Sequence, residues 1–217
     1  MDVVIVGGHG KIGRLLAREL QTRGDRPRAV IRNPAHEADV REAGADPVLC
    51  DLEQQGPGAF AEAIGSADAL VFTAGAGPGS GAARKWTVDF AGAVVAAAAC
   101  RANGIDRYVL VSSIGADDPP PFDPGDVFNV YLHAKAAADK AVLATGLAAT
   151  IVRPGSLTDD PPTGRVHLAP KTGRGAVSRA DVAAVLAEVL HRPATAGLQF
   201  GVIGGDTPVA DAVAALT

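Results

Sequence analysis

Cysteine is nearly absent: the 217-residue chain has two, Cys50 and Cys100. They stand too far apart in sequence to form a metal-ligand pair, and two thiols in a chain this long read as buried and reduced rather than as a disulfide framework. Histidine offers no ligand spacing either, since His36, His167 and His191 are scattered, so no metal site is expected. Basic charge is not in excess. Lys and Arg number 20 against 24 Asp and Glu, a formal net charge of −4 with no basic stripe, which argues against a nucleic-acid partner. Long apolar runs are missing too: the most apolar stretch, Val94 to Cys100, is far too short to span a bilayer. Met1 leads straight into a strand-like segment with no room for a leader, so a cytoplasmic protein without a membrane partner is expected. Neither a linker nor an internal repeat divides the chain, and 47% hydrophobic residues suffice for a full core. A single domain over residues 1–217 is therefore expected.

What the chain does have stands at its start. The apolar run Val3 to Val6 is followed by Gly7-Gly8-His9-Gly10-Lys11-Ile12-Gly13 and then by helical Arg14 to Leu20. A strand, a glycine loop and a helix in that order make an anion cradle, because bare backbone N–H groups and the positive end of the helix converge on a phosphate. Gly7 is expected to leave the strand in a conformation closed to residues with a Cβ. Gly10 would admit the pyrophosphate of a dinucleotide, and Gly13 would let the helix pack closely on the strands. With 26 glycines in the chain the spacing is weak by itself, and its place between a strand and a helix gives it weight. His9 occupies a variable place in this loop, its ring expected toward solvent.

Strand and helix patterns alternate along the rest. Strands are expected at Asp2–Val6, Arg28–Ile31, Asp46–Cys50, Ala69–Thr73, Arg107–Ser112, Ala149–Val152 and Leu198–Ile203. Helices are expected at Lys11–Arg23, Ala35–Ala43, Ala59–Ile64, Arg84–Ala102, Val127–Thr145 and Arg179–His191. Several strands are continuous apolar runs, as befits a parallel sheet buried on both faces. Right-handed crossovers then give an α/β, doubly wound, mostly parallel Rossmann sheet of order 3-2-1-4-5-6, with Leu198–Ile203 as a candidate seventh strand. Two long connections, about 114–126 and 156–176, read as structureless walls of a substrate pocket.

The second strand ends in Ile31-Arg32-Asn33-Pro34. An acid at this place suits the adenosine ribose of NAD, whereas an Arg accommodates the 2′-phosphate of NADP. Arg32 therefore favours NADP, with Asn33 as a further donor, Lys11 and Arg14 adding positive charge, and NAD as the alternative cofactor. Farther on, Ser112-Ser113 closes the fifth strand, and Tyr131 and Lys135 lie four apart on the next helix, hence on one face. His133, two residues from Tyr131, points elsewhere and is expected in solvent. Trp86 and Phe90 share a helical face and read as core or interface.

The Tyr-x-x-x-Lys pair with its serine, together with Gly7 to Gly13, Val30 to Pro34, Asp51-Leu52, Val88-Asp89, Val111 to Ser113, Arg153-Pro154-Gly155 and Ser178 to Val182, resembles an atypical short-chain dehydrogenase/reductase. The likeness covers nearly the whole chain and is closest to single-domain NAD(P)-binding proteins of the NmrA-like and flavin-reductase-like group. It implies that Asp51 and Leu52 flank the adenine, that Ala74 and Gly75 lie along the cofactor, and that Pro154 and Gly155 lie near the nicotinamide. It also implies catalysis by Tyr131, Lys135 and Ser113. Tyr131 would donate a proton, Lys135 would lower its pKa and hold the nicotinamide ribose, and Ser113, with Ser112 as the alternative, would bind the oxyanion. The expected activity is hydride transfer to a small carbonyl, quinone or flavin-like acceptor by a monomer or homodimer. A non-catalytic NADP sensor and, more remotely, a sugar-nucleotide epimerase or dehydratase are the alternatives.

Overall fold

A computed structural model of the chain describes residues 1–77 and 79–217. Its strands are β1 (Asp2–Val6), β2 (Arg26–Ile31), β3 (Asp46–Leu49), β4 (Ala69–Phe72), β5 (Arg107–Val111), β6 (Ala148–Pro154), β7 (Ser156–Thr158), β8 (Arg165–Ala169), β9 (Ala176–Ser178), β10 (Gln199–Gly204) and β11 (Thr207–Pro208). The helices are α1 (Lys11–Thr22), α2 (Glu37–Glu42), α3 (Pro57–Ile64), α4 (Gly81–Arg84), α5 (Ala93–Ala102), α6 (Val127–Leu143), α7 (Arg179–Leu190) and α8 (Val209–Ala214).

Among the described residues nine strands form one sheet in the order β11-β8-β10-β6-β5-β4-β1-β2-β3. From β3 through β6 this is the expected order 3-2-1-4-5-6, and the expected seventh strand is β10, parallel to β6. Strand β1 explains why its sequence is apolar without alternation. Val3 and Ile5 enter a core shared with α1 and α7, whereas Val4 and Val6 enter the core on the other face with Phe60, Ile64 and Cys100. Successive side chains of a strand point to opposite faces, so a strand covered on both sides must be apolar throughout. Cys50 and Cys100 are both buried free thiols, as expected.

Two expectations are corrected. The segment 156–176 is not structureless: β7 and β9 pair with each other, and β8 adds an antiparallel strand to the sheet beside β10. The expected helix Arg84–Ala102 is interrupted by a π-helical stretch, Lys85–Gly92. Its wider turn buries Lys85, Asp89 and Gly92 on one face, and Gly92 lies so close to Phe72 that a Cβ there would come within 3.3 Å of its ring. Such stretches are rare and cluster at functional sites. No helix among the described residues is long and apolar enough to cross a membrane.

Candidate functional site

The glycine loop lies where the carboxyl ends of β1 and β4 part, the crevice at which doubly wound sheets take their ligands. Gly7 has φ +82°, and a Cβ there would fall 2.7 Å from the backbone of Ala74. Gly8 is pressed against Ala29 of β2, where a Cβ would come within 2.4 Å, and its amide donates to the Val30 carbonyl at 3.1 Å. The close approach expected of Gly13 is to the loop itself rather than to the strands, since its Cβ would meet the Gly7 oxygen at 2.5 Å. Gly10 is exposed and its Cβ direction is open apart from the Gly7 oxygen at 3.0 Å. No side chain caps α1 and no acid stands in its first turn. Its first amides therefore face outward as donors for an anion. A cradle kept bare of side chains and capped by nothing of its own fits a dinucleotide pyrophosphate.

A cavity of about 360 Å³ opens beside this loop. Of the expected cofactor residues, Gly7, His9, Gly10, Arg32, Asp51, Leu52, Ala74 and Gly75 line it. Ile12 is buried in the core. Asn33 turns away to accept the amide of Ala35, starting the 3-10 turn Pro34–His36. Lys11 reaches across to Asp159, which also receives Arg179 at 2.7 Å. His9 is not a free solvent group: it stacks on His36 with ring centroids 3.5 Å apart and bonds Asp39 at 2.8 Å, which holds that carboxyl below its usual range. Sequence reasoning missed His36, Glu53 and Arg84 on the same lining, and it noted Val88 only as part of the family resemblance without a role in the site. For Glu53 the signal was available, because it follows directly on the Asp51-Leu52 pair at the close of a strand.

A second cavity, of about 1160 Å³, lies at the ends of β5 and β6. Its walls are the two long connections expected to form a pocket, including Asp117 to Pro121 and Pro170 to Gly175. Tyr131, Ser113, Arg153 and Gly155 line it too, whereas Pro154 closes β6 as part of the strand. His133 serves this wall rather than solvent, bonding the Pro120 carbonyl at 2.9 Å and meeting Phe122 edge-on. Trp86, expected in the core or an interface, is 37% exposed and packs edge-on against Phe90.

Lys135 lies behind Tyr131, on the lining of neither cavity, and donates to the Val111 carbonyl at 2.6 Å. It is fully buried, and desolvation lowers its pKa while Asp89 and Asp139 oppose the shift. Tyr131 does not have the depressed pKa expected of it. Burial pushes the phenol up to about 12, Asp89 adds to the shift, and only the neighbouring Ser113 hydroxyl pulls the other way. The lysine ammonium is bonded to a backbone oxygen, and Asp89 and Asp139 act on it only as nearby charges. Asp139 in turn pairs with Arg153 at 2.9 Å, and its own pKa is raised because it is buried.

The only other tyrosine, Tyr108, is fully buried and its pKa is raised as well. Both phenols should therefore keep their protons past about pH 10, where free tyrosine ionises. An acid whose folded pKa lies above its unfolded value contributes stability that is fully present below the unfolded value and is lost as pH rises from there through the folded value. Tyrosinate absorbance near 295 nm should stay flat in the folded chain through that region and appear together with alkaline unfolding. A rise near pH 10 in protein that still gives its native circular dichroism would contradict this assignment.

A family model described as NAD(P)H-binding matches residues 7–193 of the chain. The Bacillus subtilis protein YhfK, named an uncharacterized sugar epimerase, is 37% identical over 98% of this chain and 99% of its own length. Among solved structures, one from Bacillus halodurans described as an NAD-dependent epimerase/dehydratase superposes with a TM-score of 0.92 at 38% identity, covering 99% of both chains. The oxidoreductase ylbE of Lactococcus lactis gives a TM-score of 0.86 at 26% identity, covering 100% of this chain and 96% of its own.

Proposed function

Since this chain belongs to the NAD(P)H-binding family, we propose that it is an NADP(H)-dependent oxidoreductase that reduces a carbonyl, quinone or flavin-like acceptor. The observation that carries the reading is the pairing of the bare glycine cradle with a second, large cavity into which Tyr131 and Ser113 both face. When bound, the nicotinamide supplies the hydride.

The chain's own part is to place the acceptor and to give a proton. Ser113 hydrogen-bonds the acceptor oxygen and Tyr131 protonates it as negative charge develops there. A phenol with its pKa at about 12 is fully protonated at neutral pH. With a carbonyl acceptor the oxygen becomes an alkoxide, which is far more basic than a phenolate, so the transfer runs downhill; a quinone or flavin-like acceptor gives a weaker base and takes its proton from solvent. The reverse reaction needs a tyrosinate, which burial disfavours, so the site suits reduction over oxidation. Lys135 fixes the helix and the strand end through Val111 and supports the local charge balance. The larger cavity takes acceptors well beyond a small aldehyde in size.

NADP is preferred to NAD because Arg32 directly follows β2 with its guanidinium 57% exposed at the first cavity. Arg32→Ala should weaken NADPH by about tenfold to a hundredfold, the worth of a charge-assisted pair, and NADH much less. Fluorescence titration of both cofactors is the check, and equal losses would overturn the NADP assignment.

A sugar epimerase is the second reading, favoured by the names of the Bacillus subtilis and Bacillus halodurans relatives. Against it, about half of the chain beyond β6 goes into β8, β10, β11, α7 and α8, which complete the sheet and its cover rather than build a sugar-binding lobe. An epimerase returns the hydride and a pure sensor never gives it up. Stoichiometric NADPH oxidation with a panel of acceptors therefore separates the proposed activity from both.

A further inference from the structure

Glu53 is held inside the first cavity by three donors from two distant segments. Arg84 Nη2 lies 2.5 Å from Oε2 and Arg84 Nε 3.3 Å from Oε1. Arg32 Nη1 approaches Oε2 at 3.3 Å, and Thr87 Oγ1 donates to Oε1 at 2.8 Å. The carboxylate is 21% exposed, and the arginine fork beside it holds its pKa below the usual range. Two guanidinium groups and a hydroxyl thus converge on a single negative charge. The set matches a phosphate monoester at least as well as a carboxylate, because phosphate offers three acceptor oxygens and up to two charges to the same forks.

We propose that Glu53 is a resident anion standing in for a ribose phosphate, and that Arg84 is a second specificity residue which passes, with Arg32, from Glu53 to the 2′-phosphate of the cofactor. The inference deepens the NADP reading and rests on it. With a phosphorylated ribose, the phosphate takes both arginines and Glu53 withdraws. With an unphosphorylated ribose, Glu53 keeps its partners and the two guanidinium groups contribute nothing to affinity. Discrimination between the two cofactors is then an exchange of one anion for another, and Glu53 sets its cost.

The test isolates this corner from the chemistry by titrating the chain calorimetrically with adenosine 2′,5′-bisphosphate and with adenosine 5′-monophosphate. Arg84→Ala should weaken the bisphosphate about tenfold or more and leave the monophosphate unchanged, with Arg84→Lys falling between wild type and Ala for the bisphosphate. Glu53→Gln removes the competing charge without altering size, and should tighten the bisphosphate by about three- to tenfold. All three side chains lie at the surface of the cavity, and thermal melts of the variants verify that each is folded. A wild-type chain with no preference for the bisphosphate overturns both this inference and the NADP reading. A preference that Arg32→Ala abolishes but Arg84→Ala leaves intact overturns this inference alone, as does weaker bisphosphate binding in Glu53→Gln.

Discussion

Tyr131→Phe is expected to lower turnover by about a hundredfold to ten-thousandfold, the usual worth of a positioned general acid, while leaving cofactor affinity as it was. The substitution removes one oxygen. The ring keeps its packing on Phe128, 5.8 Å between centroids, and its place under the Lys85 ammonium, 5.7 Å from the ring centre. What goes is the hydroxyl beside Ser113, in the cavity that receives the acceptor. Steady-state kinetics with an acceptor found by the NADPH screen, run beside a cofactor titration, gives the two readouts. Wild-type turnover in the variant would mean that the proton comes from solvent or from the substrate, as a flavin-like acceptor permits, and Tyr131 would lose its role.

Gly10→Val should cost dinucleotide binding about a hundredfold or more with the fold intact. Two charge-assisted hydrogen bonds from the loop amides to a pyrophosphate are worth about 3–6 kcal/mol together, and a branched side chain over those amides removes both. The position is selective because its Cβ meets little of the protein itself, only the Gly7 oxygen at 3.0 Å. Gly7 is no substitute for this test, since its positive φ and its 2.7 Å approach to Ala74 would break the loop before binding was measured. Retained affinity for NADPH in a Gly10→Val chain with a native melting curve would place the pyrophosphate elsewhere.

The sheet was legible where residues answer to two cores at once. Val3 to Val6, Ala69 to Phe72 and Tyr108 to Val111 are apolar without a break because both faces are covered, and such runs read as strands from sequence alone. The segment after β6 was not legible. Its strands β7 and β9 are three residues each, too short for any period to emerge among Pro and Gly; β7 faces solvent and cavity, and β9 buries Val177 and Ser178. In β8, Arg165-Val166-His167-Leu168 does alternate, but over four residues the pattern competes poorly with the turn residues around it. The π-helical stretch left no trace either, since over Lys85–Gly92 the apolar positions suit an α-helix equally well.

The site shows the same division. Local backbone demands, such as the positive φ of Gly7 where the chain leaves β1, follow from the immediate neighbours and were read correctly. Pairings made by long side chains were not. Lys135 shares a helix face with Tyr131 as its spacing requires, yet its four-carbon stem carries the ammonium to Val111 rather than to the phenol. Lys11 likewise leaves the loop for Asp159, and Arg84 finds Glu53 across 31 residues of chain. Sequence spacing fixes where a Cα lies far better than where a charge ends up.

The two margins of the sheet bear on how copies of this protein behave when crowded together. At one margin stands β3, where the Cys50 amide points inward to the Ile31 carbonyl at 2.9 Å. Because strand amides alternate in direction, the outward ones fall at Pro47 and Leu49, and proline has none to offer. At the other margin the outermost strand is Thr207–Pro208, two residues long and again ending in proline. Among the described residues neither rim presents a long ladder of free donors and acceptors of the kind that lets one chain template the next into a fibril, since on this side β11 leaves only residues 167–169 of β8 uncovered. Rims this short disfavour the growth of a parallel sheet rich in valine and isoleucine beyond its own chain.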